Sequence, residues 1–314
     1  MGTTPAYRER LTLADLKHRS ALLHEMLRSC SVCPRGCGAN RLEGRYGVCR
    51  STDVLMVSSA GPHFGEEPPL VGRYGSGTIF LSSCCLKCQY CQNFDISQHP
   101  GGRPTAPAEL AEIMLWLERR GCHNINFVTP THVVPQIVWA LTIAVRGGLS
   151  LPLVYNCAGY ESLETLRHLD GIIDIYMPDM KYASNAHSRK YSGVRDYWDV
   201  AQAALREMHR QVGDLHLDGE GLARRGLLIR HLVLPGGVAG SEEVLKFIAR
   251  EISRDSYVNV MDQYHPAYHA SRFPELNRRV SAEEYEEATT LALRYGLHRG
   301  FATPAGKRGE HVHI

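Results

Sequence analysis

The sequence lacks any long hydrophobic run. Its longest candidate, residues 137–145, is about half of the roughly 18 residues that a membrane-spanning helix needs. It also lacks an excess of either charge, because 35 Lys and Arg residues balance 33 Asp and Glu residues to a formal net charge of +2. Such a balance gives neither the basic footprint of a nucleic-acid binder nor the polybasic patch of a membrane-binding surface. We therefore expect no nucleic acid and no membrane as a partner.

The N-terminus has no secretory signal, because charged residues precede any apolar block; they are Arg8, Glu9, Arg10 and Asp15. We therefore expect a cytoplasmic location, where reducing conditions suit cysteines to metal or redox chemistry rather than to disulfides. The chain has 10 cysteines, and two of them, Cys122 and Cys157, lie outside its first third. The other eight are clustered at positions Cys30, Cys33, Cys37, Cys49, Cys84, Cys85, Cys88 and Cys91.

The middle of the chain has the pattern of an α/β protein. From residue 76, short apolar strands alternate with longer helical stretches, as in repeated βα units with a parallel sheet. The predicted strands are 78–83, 124–129, 151–156, 172–177, 227–234 and 257–261. The predicted helices are about 108–120, 134–147, 161–169, 198–212, 242–253 and 281–296. Six such units predict a partial (β/α)6 TIM-like barrel.

We divide the chain into three parts. Residues 1–71 form an N-terminal helix and a Cys-rich metal-binding extension, residues 72–298 form the barrel, and residues 299–314 form a poorly ordered tail. The helix is predicted over residues 11–29 from the roughly helical spacing of Leu13, Leu16, Leu23 and Leu27. The tail mixes Gly, Lys, Arg and His without periodicity.

Cys84, Cys88 and Cys91 directly follow the first predicted strand. This is the carboxyl edge of the sheet, where barrel enzymes keep their active sites. Three thiolates can hold three irons of a [4Fe–4S] cluster and leave the fourth iron open to a small ligand. A competing set that begins at Cys85 resembles part of a ferredoxin run, but the further Cys followed by Pro is missing, so we leave Cys85 outside the ligand set. Zinc is the other alternative, and it would need a fourth ligand nearby.

This triplet, with Tyr90 before its last cysteine, resembles the signature of radical S-adenosylmethionine (SAM) enzymes. Residues 72–298 further resemble the pyruvate formate-lyase activating enzyme-like subgroup, which implies a partial barrel of the radical SAM type. In that family the amino and carboxylate groups of SAM chelate the open iron, and the aromatic residue before the last cysteine lies near the adenine. The resemblance therefore implies an adenine contact for Tyr90; a ring that merely covers the cluster is the alternative.

The resemblance continues at the ends of the second and third predicted strands. The family's second strand ends in Gly-Gly-Glu-Pro, which holds the amino group of SAM, whereas this chain has Thr129 followed by Pro, Thr and His. No carboxylate is present there, and we assign the amino contact first to Thr129. The VYNCAGY segment resembles the family's Asp-Thr-Asn-Gly segment, which implies a ribose or ion contact for Asn156 and Cys157. A small thiol packed in the core is the alternative for Cys157.

Three later strands add four candidate cofactor-binding residues. The MPDMK segment is similar to the family's Met-Leu-Asp-Leu-Lys, and strand alternation points Asp179 and Lys181 to one face, where they pair with each other or bind the cofactor. Arg230 matches the family's strand arginine, which implies a bidentate grip on the SAM carboxylate. His265 matches a Pro-Tyr-His segment, which implies a contact with the ribose hydroxyls; a surface-facing histidine is the alternative.

The N-terminal cysteines predict a second metal site. Cys30, Cys33, Cys37 and Cys49 offer four sulfur ligands, and Pro34 lies in the short loop between Cys33 and Cys37. A tetrahedral zinc ion and an auxiliary [4Fe–4S] cluster need the same number of thiolates, so the spacing does not decide between them. The shorter activating enzymes that the chain resembles lack these four cysteines. The resemblance therefore implies that the chain belongs to a distinct subgroup.

Together these features predict a radical SAM oxidoreductase. A [4Fe–4S] cluster and SAM would generate a 5′-deoxyadenosyl radical for hydrogen abstraction, as in glycyl-radical activases, with no catalytic side chain assigned beyond the cluster and cofactor. The resemblance implies an electron donor such as flavodoxin or ferredoxin, and a protein substrate. A non-enzymatic iron-sulfur electron carrier is one alternative. A radical SAM enzyme acting on a small molecule or a peptide side chain is the other.

Overall fold

The computed structural model describes residues 4–99 and 101–301. Of the tail predicted to be poorly ordered, residues 302–314 lie outside the described residues. Within the described ranges, no helix is long and apolar enough to cross a membrane.

Nine strands form one mixed sheet. They are β1 (Leu55–His63), β2 (Ser76–Leu81), β3 (Arg103–Thr105), β4 (Ile125–Val128), β5 (Leu153–Cys157), β6 (Ile175–Pro178), β7 (His216–Leu217), β8 (Ala223–Leu232) and β9 (Tyr257–Met261). The strand order is β3-β1-β2-β4-β5-β6-β8-β7, and β9 pairs with β8. The strands β2, β4, β5, β6, β8 and β9 run parallel, whereas β1, β3 and β7 are antiparallel to their neighbours.

These six parallel strands confirm the predicted partial barrel. Among the described residues, β9 has no strand partner other than β8, so the sheet does not close into a full barrel. The carboxyl ends of the parallel strands meet at one edge, which we call the barrel mouth. The barrel mouth is therefore where side chains from different strands can converge.

Eleven α-helices are present in the described part of the chain. They are α1 (Ala6–Glu9), α2 (Leu13–Glu25), α3 (Pro68–Val71), α4 (Phe94–Ser97), α5 (Pro107–Arg119), α6 (Val134–Arg146), α7 (Leu163–Leu169), α8 (Asn185–Ser192), α9 (Tyr197–Val212), α10 (Ser241–Phe247) and α11 (Ala282–Arg294). A π-helical turn, Ile248–Ile252, continues α10. The start of α2 is fixed by a capping box, in which Thr12 Oγ1 accepts from the Asp15 N–H and the Asp15 carboxylate accepts from the Thr12 N–H.

Sequence analysis missed the strands β1, β3 and β7 and the helix α8. The omissions of β1 and α8 have a local cause in the sequence. The strand β1 carries Gly61 and Pro62, residues that weaken a strand pattern. The helix α8 is mostly polar and lacks an apolar stripe. The predicted strand 172–177 began too early, because Ile172 and Ile173 are buried in the turn that precedes β6.

The parallel strands β2, β4, β5 and β6 are buried on both faces, as expected when helices cover the outside of a barrel. A large apolar cluster lies between the sheet and its helices. A smaller cluster fills the amino-terminal end of the barrel interior, with members Leu70, Val154, Ile175, Met177, Leu215, Ala223 and Leu228. Leu70 belongs to α3, so part of the N-terminal segment lies inside the barrel.

Candidate functional site

The predicted cluster cysteines lie together after β2, at the barrel mouth. Cys88 is buried, whereas Cys84 and Cys91 are partly exposed. The loop that carries them begins at Ser83, whose φ of 77° lies in the left-handed region. A non-glycine residue at positive φ is uncommon, and such strain tends to occur at functional sites.

Each of the three thiols has a hydrogen-bonding partner nearby. Cys88 Sγ lies 2.9 Å from Ser192 Oγ, and Cys91 Sγ lies 3.2 Å from Ser97 Oγ. The third sulfur, on Cys84, accepts from the Leu86 N–H at 3.4 Å. Burial raises the pKa of Cys88 to about 12, against the opposing charge of Lys181. Burial also raises the pKa of Cys91, so these two thiols depend on a bound cation to become thiolates.

Beside the thiols, four predicted cofactor-binding residues form one network. Asp179 accepts hydrogen bonds from Lys181 Nζ at 2.6 Å and from Arg230 Nε at 2.8 Å. Arg230 Nη2 also donates to Asn156 Oδ1 at 2.8 Å. Burial alone would raise the pKa of Asp179, but the charges of Arg230 and Lys181 outweigh it and hold that pKa below its usual value. The carboxylate therefore stays ionised and fixes both cations.

The guanidinium of Arg230 retains one free edge. Its Nε and Nη2 atoms bind Asp179 and Asn156, whereas Nη1 makes no hydrogen bond within the described part of the chain. Asn156 lies in β5 and Arg230 in β8, so the network joins separate strands of the barrel. These bonds fix the orientation of the guanidinium, so Nη1 is available to donate to an added carboxylate.

Thr129 lies at the end of β4 next to this network. Its N–H donates to the Asn156 carbonyl at 2.9 Å, and its φ is 62°. A β-branched residue is strongly disfavoured at positive φ, because its side chain crowds the backbone. The surrounding contacts therefore hold Thr129 in a strained conformation.

Tyr90 and His265 lie apart from the network. Tyr90 is buried and packs edge-on against Tyr182 and Tyr264, with ring centroids 6.3 and 5.8 Å away. His265 is exposed, and its Nδ1 lies 3.3 Å from Nε2 of Gln92, next to the third cysteine of the triplet. Tyr90 thus packs in an aromatic group behind the thiols, while His265 lies at their rim.

Sequence analysis missed the hydroxyl partners of the thiols. Ser192 lies at the end of α8, 104 residues from Cys88, and its Oγ also lies 2.8 Å from the Tyr182 hydroxyl. The helix α8 was itself not predicted, and no local motif marks a serine that meets a distant cysteine. A signal for this contact would require knowledge of the tertiary structure.

The four N-terminal cysteines line a single cavity. Cys30, Cys33, Cys37 and Cys49 share its wall with Cys85, Arg35, Arg41 and His132. A Cβ built on Gly47 would lie 2.8 Å from Cys37 Sγ and 3.8 Å from Cys49 Sγ. This glycine therefore allows two of the thiols to approach the backbone closely.

A charged side chain is fully buried beside this cavity. Arg41 is 0% exposed, and its guanidinium donates to the carbonyls of Thr52 at 2.6 Å and His132 at 2.6 Å. Its Nη1 also lies 3.8 Å from Cys30 Sγ. No carboxylate pairs with Arg41 among residues 4–99 and 101–301. Arginine stays charged in proteins, so this buried positive charge has the cavity's thiols, and no carboxylate of the described residues, to balance it.

Cys85 lies between the two groups of cysteines. It is 1% exposed, and hydrogen bonding with it lowers the pKa of both Cys33 and Cys84 to about 7. The barrel triplet and the N-terminal group are therefore adjacent in the fold.

The comparisons with known proteins give the family of the chain. The "uncharacterized protein MJ0674" of Methanocaldococcus jannaschii is 33% identical over 295 residues, which cover 91% of this chain and 80% of the relative. The "uncharacterized protein MJ0808" of the same organism is 24% identical over 312 residues, covering 89% and 83%. No family model matches the chain. The chain belongs to the same family as MJ0674.

Two solved structures are similar in fold. HydG, a maturase of the [FeFe]-hydrogenase, is 14% identical with a TM-score of 0.50, and the match covers 72% of this chain but 51% of HydG. A radical SAM methyltransferase from Sphaerobacter thermophilus is 12% identical with a TM-score of 0.48, covering 73% and 67%. The likeness to HydG shows a shared fold. The matched part makes up about half of the HydG length.

Proposed function

We propose that the protein is a radical SAM enzyme related to pyruvate formate-lyase activating enzyme. One observation carries the proposal: the thiols of Cys84, Cys88 and Cys91 lie near one another at the mouth of a six-strand partial barrel, beside the network of Asp179 and Arg230. An electron carrier would need the thiols but not the network. We also retain a cytoplasmic location, an electron donor such as flavodoxin or ferredoxin, and a protein glycine as the hydrogen donor within this proposal.

The donor set at the barrel mouth fits a [4Fe–4S] cluster. Three thiols with hydroxyl or N–H donors leave one iron of such a cluster without a protein ligand. Within the described residues, no three His, Cys, Asp or Glu side chains gather closely enough for a single metal ion. Thiolates on a cluster bind different irons, so they need not meet at one point.

The residues of the mouth have separate tasks in this proposal. When bound, the cluster supplies the electron that cleaves SAM to methionine and a 5′-deoxyadenosyl radical for hydrogen abstraction. Arg230 offers Nη1 to the SAM carboxylate, and Asp179 fixes the plane of that guanidinium. Thr129 is assigned to the SAM amino group, and Asn156 and His265 are assigned to the ribose. Tyr90 is assigned to the adenine. It is buried against Tyr182 and Tyr264, behind the thiols.

The test is SAM cleavage by the anaerobically reconstituted and dithionite-reduced protein, with 5′-deoxyadenosine measured by chromatography. We expect slow formation of 5′-deoxyadenosine and methionine without added substrate. Cys88→Ala should lose both the cluster spectrum and the cleavage, whereas Cys122→Ala, which changes a buried thiol elsewhere, should retain both. A fully loaded, reducible cluster that yields no 5′-deoxyadenosine and does not respond to SAM would favour the electron-carrier alternative.

We further propose that Cys30, Cys33, Cys37 and Cys49 hold a second metal centre, as zinc or an iron-sulfur cluster. The buried guanidinium of Arg41 supports this, because four thiolates on either metal give an anionic group that balances its charge. Without such a group, the buried charge would be costly. These thiols line one cavity without converging on a single point, so a zinc ion there would require their side chains to turn inward.

Metal and sulfide analysis of a triple variant tests the second centre. With Cys84, Cys88 and Cys91 changed to Ala, the purified protein should still contain metal, and its sulfide content separates a cluster from zinc. Cys85→Ala alone should keep the barrel cluster. A folded triple variant that contains neither zinc nor iron after anaerobic purification would refute the second centre.

A further inference from the structure

The segment between β1 and β2 enters the barrel interior. Leu70, in α3, is fully buried among the inward-facing apolar side chains of β5, β6 and β8. Its carbonyl accepts a hydrogen bond from Asn124 Nδ2 at 2.8 Å. Leu70 therefore anchors this segment in the barrel interior, while Phe64, Gly65 and Pro68 of the same segment are exposed.

Two adjacent carboxylates of this segment face the interior. Glu67 is 8% exposed, and its Oε2 accepts from Asn259 Nδ2, in β9, at 2.5 Å. Glu66 lies near Asn126, in β4, and near His63 and Arg230. Burial raises the pKa of both carboxyl groups, against the charge of Arg230. We call Glu66 and Glu67 the interior carboxylates.

The interior carboxylates lack a cation of their own. No Lys, Arg or His nitrogen in the described ranges lies within ion-pair distance of either one. Arg230, whose charge acts on both carboxylates, already pairs with Asp179, as does Lys181. With all of these side chains ionised and His63 neutral, the interior holds three negative charges and two positive ones. The two carboxylates without an ion-pair partner are therefore complementary to an added cationic group, and the sulfonium of SAM is the competitor that the test below must separate from the substrate.

A second observation points to a ligand at the same place. Asn126 is 0% exposed, and among residues 4–99 and 101–301 neither atom of its side-chain amide reaches hydrogen-bonding geometry, although the Glu66 carboxylate lies close enough to interact with the amide. Leaving a buried amide unpaired costs on the order of 1–3 kcal/mol, so such groups usually meet a ligand or water. Val128 pairs with Asn156 in the sheet, which places Asn126 one inward-facing layer deeper than the network at the mouth. The free amide thus lies below the site assigned to SAM.

We propose that the interior carboxylates and Asn126 form the substrate subsite of the barrel and bind a cationic nitrogen group, an ammonium or a guanidinium. The carboxylates accept its hydrogen bonds, and Asn126 Oδ1 supplies a further acceptor. This inference rests on the proposed radical SAM function, because it places the substrate beneath the cofactor. It names the chemical class of the substrate: one that carries an amine or a guanidine.

The test uses small probes of one shape and different charge. n-Butylamine and n-butylguanidine are titrated by calorimetry into the anaerobically reconstituted protein, with and without SAM, and are compared with butyrate and n-butanol. We expect the two cationic probes to bind, and butyrate and n-butanol to bind about tenfold more weakly or not at all. This comparison uses the unchanged protein and depends on no variant.

Variants then locate the site. Glu66→Gln and Glu67→Gln should each weaken the cationic probes by about tenfold or more, whereas Glu112→Gln, on the exposed face of α5, should not. Thermal unfolding checks that each variant is folded. The proposal is overturned if butyrate binds as well as the amines, if both Gln variants bind like the parent protein, or if rising SAM displaces the amines. SAM cleavage is measured separately, so failure of the radical SAM function is distinguishable from failure of this subsite.

Discussion

Arg230 makes a specific prediction at the scale of single residues. Its Nε and Nη2 atoms are held by Asp179 and Asn156, and Nη1 remains for the SAM carboxylate. We predict that Arg230→Ala lowers SAM affinity by about 2 kcal/mol, or about thirtyfold, because a hydrogen-bonded charge contact is lost. Equilibrium dialysis of SAM against the reconstituted protein measures the affinity, and iron content confirms that the cluster is retained.

Arg224→Ala is the matched control for Arg230. It removes an arginine from the same strand, β8, whose partner Asp218 lies 2.7 Å away and outside the barrel mouth. SAM affinity should not change in this variant. If Arg230→Ala binds SAM as tightly as Arg224→Ala does, Arg230 does not belong to the cofactor site.

The backbone of Thr129 gives a second prediction. Its φ of 62° is strained for a residue with a Cβ and unstrained for glycine. We predict that Thr129→Gly is more stable than Thr129→Ala by about 1 kcal/mol, because relief of strain exceeds the entropy cost of glycine. Both variants lack the hydroxyl, so thermal unfolding of the pair isolates the backbone effect. A less stable glycine variant would show that the conformation at this position costs nothing.

The sequence allowed some of these residues to be predicted and not others. Asp179 and Lys181 are two positions apart just after β6, and extending the strand's alternation to them predicted the shared face on which they pair. Glu66 and Ser192 were missed, because each reaches the site through a segment with no strand or motif signal of its own. Long-range contacts of this kind depend on how the chain is routed, which local patterns do not encode.

At the scale of elements, the N-terminal cysteine segment depends on Gly47. The backbone there is not in the left-handed region, so alanine is acceptable in conformation, but its Cβ would lie 2.8 Å from Cys37 Sγ. We predict that Gly47→Ala displaces Cys37 and lowers the metal content of the second centre while the barrel cluster remains. Metal and sulfide analysis measures the loss, and the SAM-dependent spectral change reports on the barrel cluster.

Gly219→Ala serves as the control for Gly47. Gly219 is also outside the left-handed region, and a Cβ there would meet nothing within 4 Å. Its metal content should equal that of the parent protein. If Gly47→Ala also retains all of its metal, the close approach of Cys37 to the backbone is not needed for the second centre.

The predicted elements divide by the strength of their local signal. All six parallel strands were predicted within a few residues, because strands buried on both faces form continuous apolar runs. The antiparallel strands β1, β3 and β7 were missed, since they are short or contain Gly and Pro. That loss matters for function, because the interior carboxylates follow β1 directly.

At the scale of the whole molecule, the segment of residues 64–71 links the two sides of the open barrel. Glu67 binds Asn259 of β9, and the Leu70 carbonyl binds Asn124, just before β4. These contacts connect strands that do not pair with each other in the sheet. The partial barrel is therefore held across its interior as well as along its sheet.

Leu70 is the apolar anchor of this link, and its truncation should affect the stability of the whole chain. Leu70→Ala leaves a cavity at a fully buried position, and we predict a loss of about 3 kcal/mol in the free energy of unfolding. Leu163→Ala, at a position 36% exposed on α7, should cost about 1 kcal/mol or less, and Leu70→Met should retain most of the stability because its volume is similar. Denaturant unfolding under anaerobic conditions measures all three. Equal losses for Leu70→Ala and Leu163→Ala would mean that the strands and outer helices hold the barrel without the interior segment, and that the interior carboxylates lie on a segment free to move.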